Sequence, residues 1–465
     1  MNKALLDHFQ SERFSVDERI KSGKALRLKF PRKLMGEYKP TLTRADPVSI
    51  LIKQGKTRLP ELVPVRYARM LTSPFAFLRG GAAIMASDLA AGPKPGGISV
   101  QACGDMHLAN FGFFASAERN LVFGINDFDE TLPGPWEWDL KRLVASIVAA
   151  GRFLGAGDPA CTDAVMTCVS SYRRQMREYA QKGYLDLWYA TISEKEVLKA
   201  LTGSAKTGAE KIMGKARERT HMQVLGKLTD LVDDKYRLRE NAPFIVRESH
   251  TSDGRTIQEA LGAFLESYFL SVSDERKALL KNYRIVDVAR KVVGVGSVGT
   301  RCWVVFLTGN HSNDPLFLQL KEAQPSVLEP YLSKSVYANE GQRVVIGQRL
   351  LQAAPDIFLG WFDFAGTHFY VRQLRDMKGG VEFDPKKVKV ENLDQYSSLC
   401  GWALALAHAK SGDAAMIAGY TGKSQELDEA MVRFAFTYAD QTEKDYNALA
   451  SAAKKGRIKV AESGS

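Results

Sequence analysis

The feature that most restricts how this chain can fold is a glycine run, G-V-G-S-V-G at Gly294–Gly299, with a strand-like segment on each side. V-A-R-K-V-V precedes it and R-C-W-V-V-F-L follows it, both rich in the β-branched and aromatic residues that suit a pleated, half-buried surface. Glycines at G-x-G-x-x-G spacing serve two phosphate-binding devices, one that opens a helix after a strand and one that joins two antiparallel strands into a lid. Strands on both sides select the lid, with Gly294, Gly296, Ser297 and Gly299 as its nucleotide-facing residues. The next strand, L-F-L-Q-L, runs into Lys321, where a lysine can hold the α- and β-phosphates. Such a lysine is ordinarily steadied by a glutamate on a following helix, and Glu329 and Glu340 are both candidates.

A second constellation lies almost two hundred residues earlier: G-D-M-H-L-A-N-F-G at 104–112, then I-N-D-F-D at 125–129. Phosphoryl transfer on magnesium needs a carboxylate for the acceptor hydroxyl, an amide oxygen for the metal and a second carboxylate for the metal. Asp105 and Asn110 stand at D-x-x-x-x-N spacing, and Asp127 follows a strand pair that returns the chain to them. Asp129 is the alternative metal ligand if the hairpin register shifts by two. His107 is a candidate for proton transfer, although a loop histidine that pins Asp105 by a hydrogen bond is the simpler expectation. Asp139, in P-W-E-W-D-L-K-R, is expected to cap the helix that follows it.

Along the chain, residues 1–60 are polar and basic and read as an extension laid over the surface. Residues 61–279 read as a mainly helical lobe holding the acidic constellation, 280–376 as a small sheet lobe with the glycine run, and 377–465 as helices completing the large lobe. One helix, from Glu340 to Ala354, is expected inside the sheet segment. With 64 Lys plus Arg against 53 Asp plus Glu the net charge is +11, which favours a polyanionic partner without naming it. Arg66, Arg69 and Arg79 are candidates for holding an anionic acceptor, whereas the basic run Lys195–Lys227 reads as a solvated helix face. Nucleic acid is the least favoured polyanion, since no helix-turn-helix, zinc finger or stacked-aromatic signature is present. Five cysteines at scattered spacings, no signal-peptide pattern and no apolar span of about 20 residues lead to the expectation of a reducing, cytoplasmic setting without a membrane span.

These motifs together resemble the protein-kinase-like superfamily, and the catalytic loop is most similar to the aminoglycoside and choline kinase branch, whose loop reads H-G-D-x-H-x-x-N followed by I-D-F or I-D-W. S-P-F-A-F-L-R-G, G-D-M-H-L-A-N-F-G, I-N-D-F-D-E, W-D-L-K-R-L and L-A-H-A-K-S-G-D resemble more specifically a bacterial family, domain of unknown function twenty-two fifty-two, over about Arg13 to Asp445. The resemblance implies ATP and magnesium as cofactors and a two-lobed α+β fold with a small antiparallel-sheet lobe and a large helical lobe. Asp105 would be the base or acceptor-orienting residue, Asn110 and Asp127 the magnesium ligands, Lys321 the phosphate holder and the glycines the lid.

Two departures stand out. Cys103 occupies the place of the loop histidine, and the catalytic loop precedes the glycine loop, which calls for a circular permutation. The expected activity is transfer of the terminal phosphoryl group of ATP to a hydroxyl acceptor, small molecule or protein, of anionic character. Transfer of the nucleotidyl group to a protein and a non-catalytic nucleotide-binding scaffold are the alternatives.

Overall fold

The computed structural model describes residues 3–461 except 234, 252, 253, 293, 295, 353, 375 and 376, so the lobe boundary expected at 376 lies outside the described residues. The chain opens with α1 (Lys3–Gln10), α2 (Val16–Ala25), α3 (Pro47–Gly55), α4 (Val63–Met70), α5 (Pro74–Gly80) and α6 (Ala82–Ala91). Side-chain caps set several of these starts: Ser15 and Glu18 form a reciprocal box at α2, Asp46 caps α3 ahead of Pro47, and Ser73 caps α5 ahead of Pro74.

Four short strands follow: β1 (Ser99–Ala102), β2 (Phe111–Ala115), β3 (Leu121–Ile125) and β4 (Leu132–Pro135), with β1 pairing β4 and β2 pairing β3, both antiparallel. Then comes α7 (Trp136–Phe153), buried continuously from Trp136 to Gly151. A helix hidden on all sides usually has only apolar residues. This one also buries Glu137, Asp139, Lys141 and Arg142, each of which must find a partner inside the protein.

After α8 (Asp158–Ala180) the chain passes through α9 (Tyr184–Tyr189), α10 (Glu194–Ala200), α11 (Gly203–Glu218) and α12 (His221–Leu228). The region expected to stay helical to about 280 is interrupted by the hairpin β5 (Thr229–Val232) and β6 (Lys235–Leu238) and by β7 (Ile245–Val246). These strands are short and mostly exposed, so alternation against a core leaves little trace in them. Two more helices, α13 (Ile257–Ser271) and α14 (Asp274–Leu280), lead to the main sheet.

The sheet comprises β8 (Arg284–Lys291), β9 (Cys302–Thr308), β10 (Pro315–Glu322), β11 (Gly360–Phe364) and β12 (Thr367–Gln373), with α15 (Glu340–Leu351) inserted before β11. Its order is β11-β12-β10-β9-β8-β7, and every pairing is antiparallel. Strand alternation divides it into two faces. One carries Val305, Leu307, Leu318, Leu320, Phe369 and Val371 and is covered by Phe264 and Tyr268 of α13. The other carries Phe306 and Phe317 under Val224 and Leu225 of α12. The same face continues through Gln319, Lys321, Tyr370 and Arg372, register partners across β10 and β12, toward the acidic segment after β3.

The chain ends with α16 (Leu393–Ser411), α17 (Ala414–Thr421) and α18 (Glu426–Lys454), which pack with α7 and α8 into a mixed α+β whole. Among the described residues no helix is long and apolar enough to cross a membrane. Of residues 1–60, read as a surface extension, residues 6–15 are exposed, but parts of the segment from α2 onward pack into this body. Arg44 is shared between Asp88 of α6 and Asp445 of α18 at 2.6–2.8 Å, and Val48 and Leu51 are buried. Gly23 and Gly36 let this segment approach the backbones of Met416 and Ala430. Arginine ion pairs and glycine contacts replace the long apolar stretches that would have signalled packing.

Where α16 crosses α8, a Cβ placed on Gly401 would fall 2.2 Å from the Cys168 carbonyl oxygen. Gly401→Ala must push the two helices apart and should lower the denaturation midpoint, at a cost of about 1–3 kcal/mol. Gly208→Ala, on an open face of α11 with nothing nearby, should raise it by about 0.5–1 kcal/mol. Urea titration of both variants checks the pair.

Candidate functional site

Beyond β1 the chain turns at Gly104, whose φ of 77° lies in the left-handed region and where a Cβ would fall 2.6 Å from Glu130 O. The turn is fixed from below by Asp139. Its Oδ2 accepts from Cys103 N at 2.6 Å and its Oδ1 from Gly104 N at 2.9 Å. Behind it His408 Nε2 lies 3.3 Å from Asp139 Oδ2, and the Tyr172 hydroxyl lies 2.9 Å from His408 Nδ1. Asp139 is therefore not the expected helix cap. The helix begins three residues earlier, at Trp136, and the carboxylate serves the loop instead. The support of the loop at Cys103 thus comes from α7 and α16.

The carboxylate of Asp105 receives two hydrogen bonds on Oδ1 from Arg142, from Nε at 2.8 Å and Nη2 at 2.5 Å. Burial raises its pKa while the Arg142 guanidinium works in the opposite direction. His107 does not pin it, because Nε2 is 3.9 Å from Asp105 Oδ2, beyond hydrogen-bond reach. Burial and the nearby Arg79 and Arg142 charges press the His107 imidazole toward its neutral form, and its Nδ1 is buried without a partner.

Asn110 Nδ2 donates to Asp105 O at 2.7 Å, which commits the amide nitrogen and leaves the amide oxygen as the atom for a cation. The hairpin β2–β3, in register Phe111↔Ile125, brings the chain back so that Asn126 N donates to Asn110 O at 2.8 Å, next to Asp127. Burial and the neighbouring Asp129 raise the pKa of Asp127. Asp129 behaves differently. Burial opposes its ionisation, but the Lys321 ammonium, bonded to Oδ2, and Tyr370, whose hydroxyl donates to Oδ1 at 2.7 Å, hold its pKa below the ordinary value. Ser297 Oγ adds a bond to Oδ2 at 3.1 Å.

The glycine run lies over these acids. Gly294 and Gly299 adopt positive φ, 71° and 92°, and a Cβ on Gly296 would fall 3.9 Å from Asp105 Oδ2. Leu59 N donates to Gly299 O at 2.8 Å, Arg58 Nη1 to Val298 O at 2.6 Å and Arg69 Nη1 to Gly294 O, so the N-terminal segment ties the loop down. Beneath it is a cavity of about 120 Å³. Asp105, His107, Asn110, Asp127 and Asp129 line it together with Gly294, Gly296 and Ser297. Lys321 reaches it through Asp129.

Neither glutamate proposed to steady Lys321 does so. Glu340, in the first turn of α15, bonds Arg343 Nε one turn further on at 2.6 Å, and Glu329 accepts from Ser335 N at 3.3 Å. Asp129 takes their place. Sequence reasoning also missed Arg142 as a partner of Asp105. Its signal was present: Asp139 and Arg142 are three apart and share one face of α7, turned to the loop at Cys103–Asp105.

Among the described residues no cluster of three or more His, Cys, Asp or Glu could hold a metal by itself. Asp127, Asp129 and the Asn110 oxygen fit the lighter demand of magnesium, which takes one or two carboxylates plus substrate phosphates. The raised pKa of Asp127, a buried carboxylate with another beside it, matches a group awaiting a cation.

The chain belongs to the bacterial family described as "Uncharacterized protein conserved in bacteria (DUF2252)", which matches residues 58–452 and so contains every residue of this site. No curated protein and no solved structure matches it.

Asp139→Ala would leave the Cys103 and Gly104 amides buried without an acceptor, at a cost of about 2–5 kcal/mol for the two. Asp139→Asn, which keeps one acceptor oxygen, should lose less. Thermal denaturation, with hydrogen exchange at those two amides, reads both effects.

Proposed function

We propose that this family member is a magnesium-dependent phosphotransferase that uses ATP, with a two-lobed, kinase-like and circularly permuted fold. The observation that carries the reading is the convergence of two motifs far apart in sequence. Gly296 lies against Asp105, and Ser297 and Lys321 both bond Asp129. The local order of strand, glycine loop, strand, lysine strand and helix follows the phosphate-binding half of a kinase site. The acidic loop and its hairpin supply the other half from an earlier part of the chain. Permutation leaves such a site intact because the contacts, not the chain order, build it.

In this reading the glycine loop covers the phosphates and excludes water, and Lys321 holds them. Phosphates would compete with Asp129 for the Lys321 ammonium, and Asp127, Asp129 and the Asn110 oxygen are the residues that would hold the cation. Magnesium, when bound, neutralises charge on the phosphates and orients them for in-line attack. Asp105 Oδ2, free of the Arg142 fork, is the atom that takes the acceptor proton, and a carboxyl with a raised pKa suits that exchange near neutral pH. Arg142 keeps Asp105 oriented. His107, pressed toward neutrality and beyond hydrogen-bond reach of Asp105, packs beside it without a step of its own.

Calorimetric titration with ATP should give binding to wild type that needs magnesium and that weakens at least tenfold, about 1.4 kcal/mol, in Asp127→Asn and in Lys321→Met. Absence of binding to folded wild type would overturn the reading. With binding in hand, ATP labelled at the γ- or α-phosphate distinguishes phosphoryl from nucleotidyl transfer.

A further inference from the structure

Three arginines line the same cavity, together with Asp105, Asp127, Asp129, Glu130 and Glu322. Arg58, Arg66 and Arg79 face it, and among the described residues none of them is in an ion pair. Arg66 is 1% exposed, and its Nη2 donates to Gln54 Oε1 and Gly80 O at 3.0 Å, while its Nε and Nη1 are buried with no acceptor. Arg58 spends Nη1 on Val298 O, and its Nε is likewise buried and unpartnered. The Nε of Arg79 is in the same state, with its guanidinium carbon 5.9 Å from the centre of the Phe75 ring. Two arginines buried elsewhere have their donors satisfied. Arg173 grips Asp428 with two bonds at 2.5–2.6 Å, and Arg343 bonds Glu340, Thr131 O and Gln324 O.

Four of the unmet arginine nitrogens thus belong to residues of one cavity, which adjoins the proposed reacting groups, while Arg19 Nε and Arg290 Nη1 are unmet elsewhere. The Arg79 carbonyl oxygen would lie 3.3 Å from a Cβ on Gly296, the residue that also overhangs Asp105. Arg58 touches the glycine loop at Val298 and Gly299. Burial lowers the pKa of all three guanidinium groups, and Arg58 lowers that of Arg66 further. Such an arrangement is unfavourable when empty and favourable around a multiply charged anion with several acceptor oxygens.

We propose that Arg58, Arg66 and Arg79 form an anion subsite that takes a phosphate group beneath the glycine loop. Four unpartnered nitrogens from three side chains exceed what the two oxygens of a carboxylate meet easily, and they suit the three terminal oxygens of a phosphate. The phosphate arrives either as the outermost group of the nucleotide or as a phosphomonoester on the acceptor. Which of these carries it rests on the phosphotransferase reading; the subsite itself does not. Arg69, counted with Arg66 and Arg79 on sequence grounds, is not part of it, because its guanidinium is committed to Gly294 O.

The test is calorimetric titration of the full chain with inorganic phosphate, without magnesium, on wild type, Arg58→Gln, Arg79→Gln and, as a control on the exposed face of α11, Lys206→Gln. Expected is saturable binding to wild type that weakens at least tenfold in each arginine variant and by no more than about twofold in Lys206→Gln. Melting curves show which variants are folded, and phosphate should raise the wild-type Tm but not that of Arg79→Gln. Equal affinity in wild type and both arginine variants, or no phosphate binding to folded wild type, overturns the subsite.

Titration with magnesium ATP and magnesium ADP then separates the two carriers. If the nucleotide supplies the phosphate, Arg79→Gln erases the preference for ATP over ADP. If the acceptor supplies it, that preference survives and phosphate still binds the ATP-saturated protein. Retained ATP binding without arginine-dependent phosphate binding removes the subsite and leaves the phosphotransferase reading. The converse result removes the ATP-dependent reading and leaves the subsite.

Discussion

The carboxylate of Asp129 joins the sheet to the acidic hairpin. Lys321 sits near the end of β10 with only 4% of its side chain exposed, and a buried ammonium without a partner is strongly destabilising. The partner comes from a segment 192 residues away in sequence. Tyr370 from β12 and Ser297 from the glycine loop bond the same carboxylate, so two strands, a loop and the acidic hairpin meet on one side chain. The pairing also sets the character of its neighbours. With the ammonium committed to Asp129, Asp127 is left as the carboxylate whose ionisation its surroundings oppose.

Much of this was legible in the sequence because it depends on local pattern. The glycine run between two strand-like segments, the D-x-x-x-x-N spacing and the helix at Glu340 each show within a short window, and β8, β9 and α15 lie where those patterns indicate. What escaped was the choice of partner across distance. Glu329 and Glu340 were reasonable candidates for Lys321, yet a glutamate in the first turn of a helix with arginine three residues on meets that arginine first. Asp139 sits close enough to a helix start to read as a cap, and only the tertiary structure reveals that the loop amides of Cys103 and Gly104 claim it.

The basic N-terminal region shows how charge composition misleads when burial is unknown. Its arginines look like a surface awaiting a polyanion, but many work inside the molecule. Arg19 pairs with Asp413, Arg32 bonds Thr421 O and Glu426, and Arg44 bridges two carboxylates. Arg58 and Arg69 reach the glycine loop. A positive net charge of this kind reports partly on internal ties between segments remote in sequence. The same ties bring an N-terminal segment to the roof of a cavity whose floor and lid come from two later parts of the chain.

Buried polar groups are normally satisfied, so where they are not, the unmet atoms deserve a physical reason. The buried, unpartnered nitrogens of Arg58, Arg66, Arg79 and His107 belong to residues that line one cavity, alongside three aspartates and under a glycine loop, while those of Arg19, Arg290 and Trp136 lie apart from it. Arg173 and Arg343 show that the same fold can satisfy a buried guanidinium completely when its role is structural. The contrast within one chain separates two uses of the same residue: arginine as a tie between elements, with every direction filled, and arginine as a preorganised donor held open beside the acids it would serve.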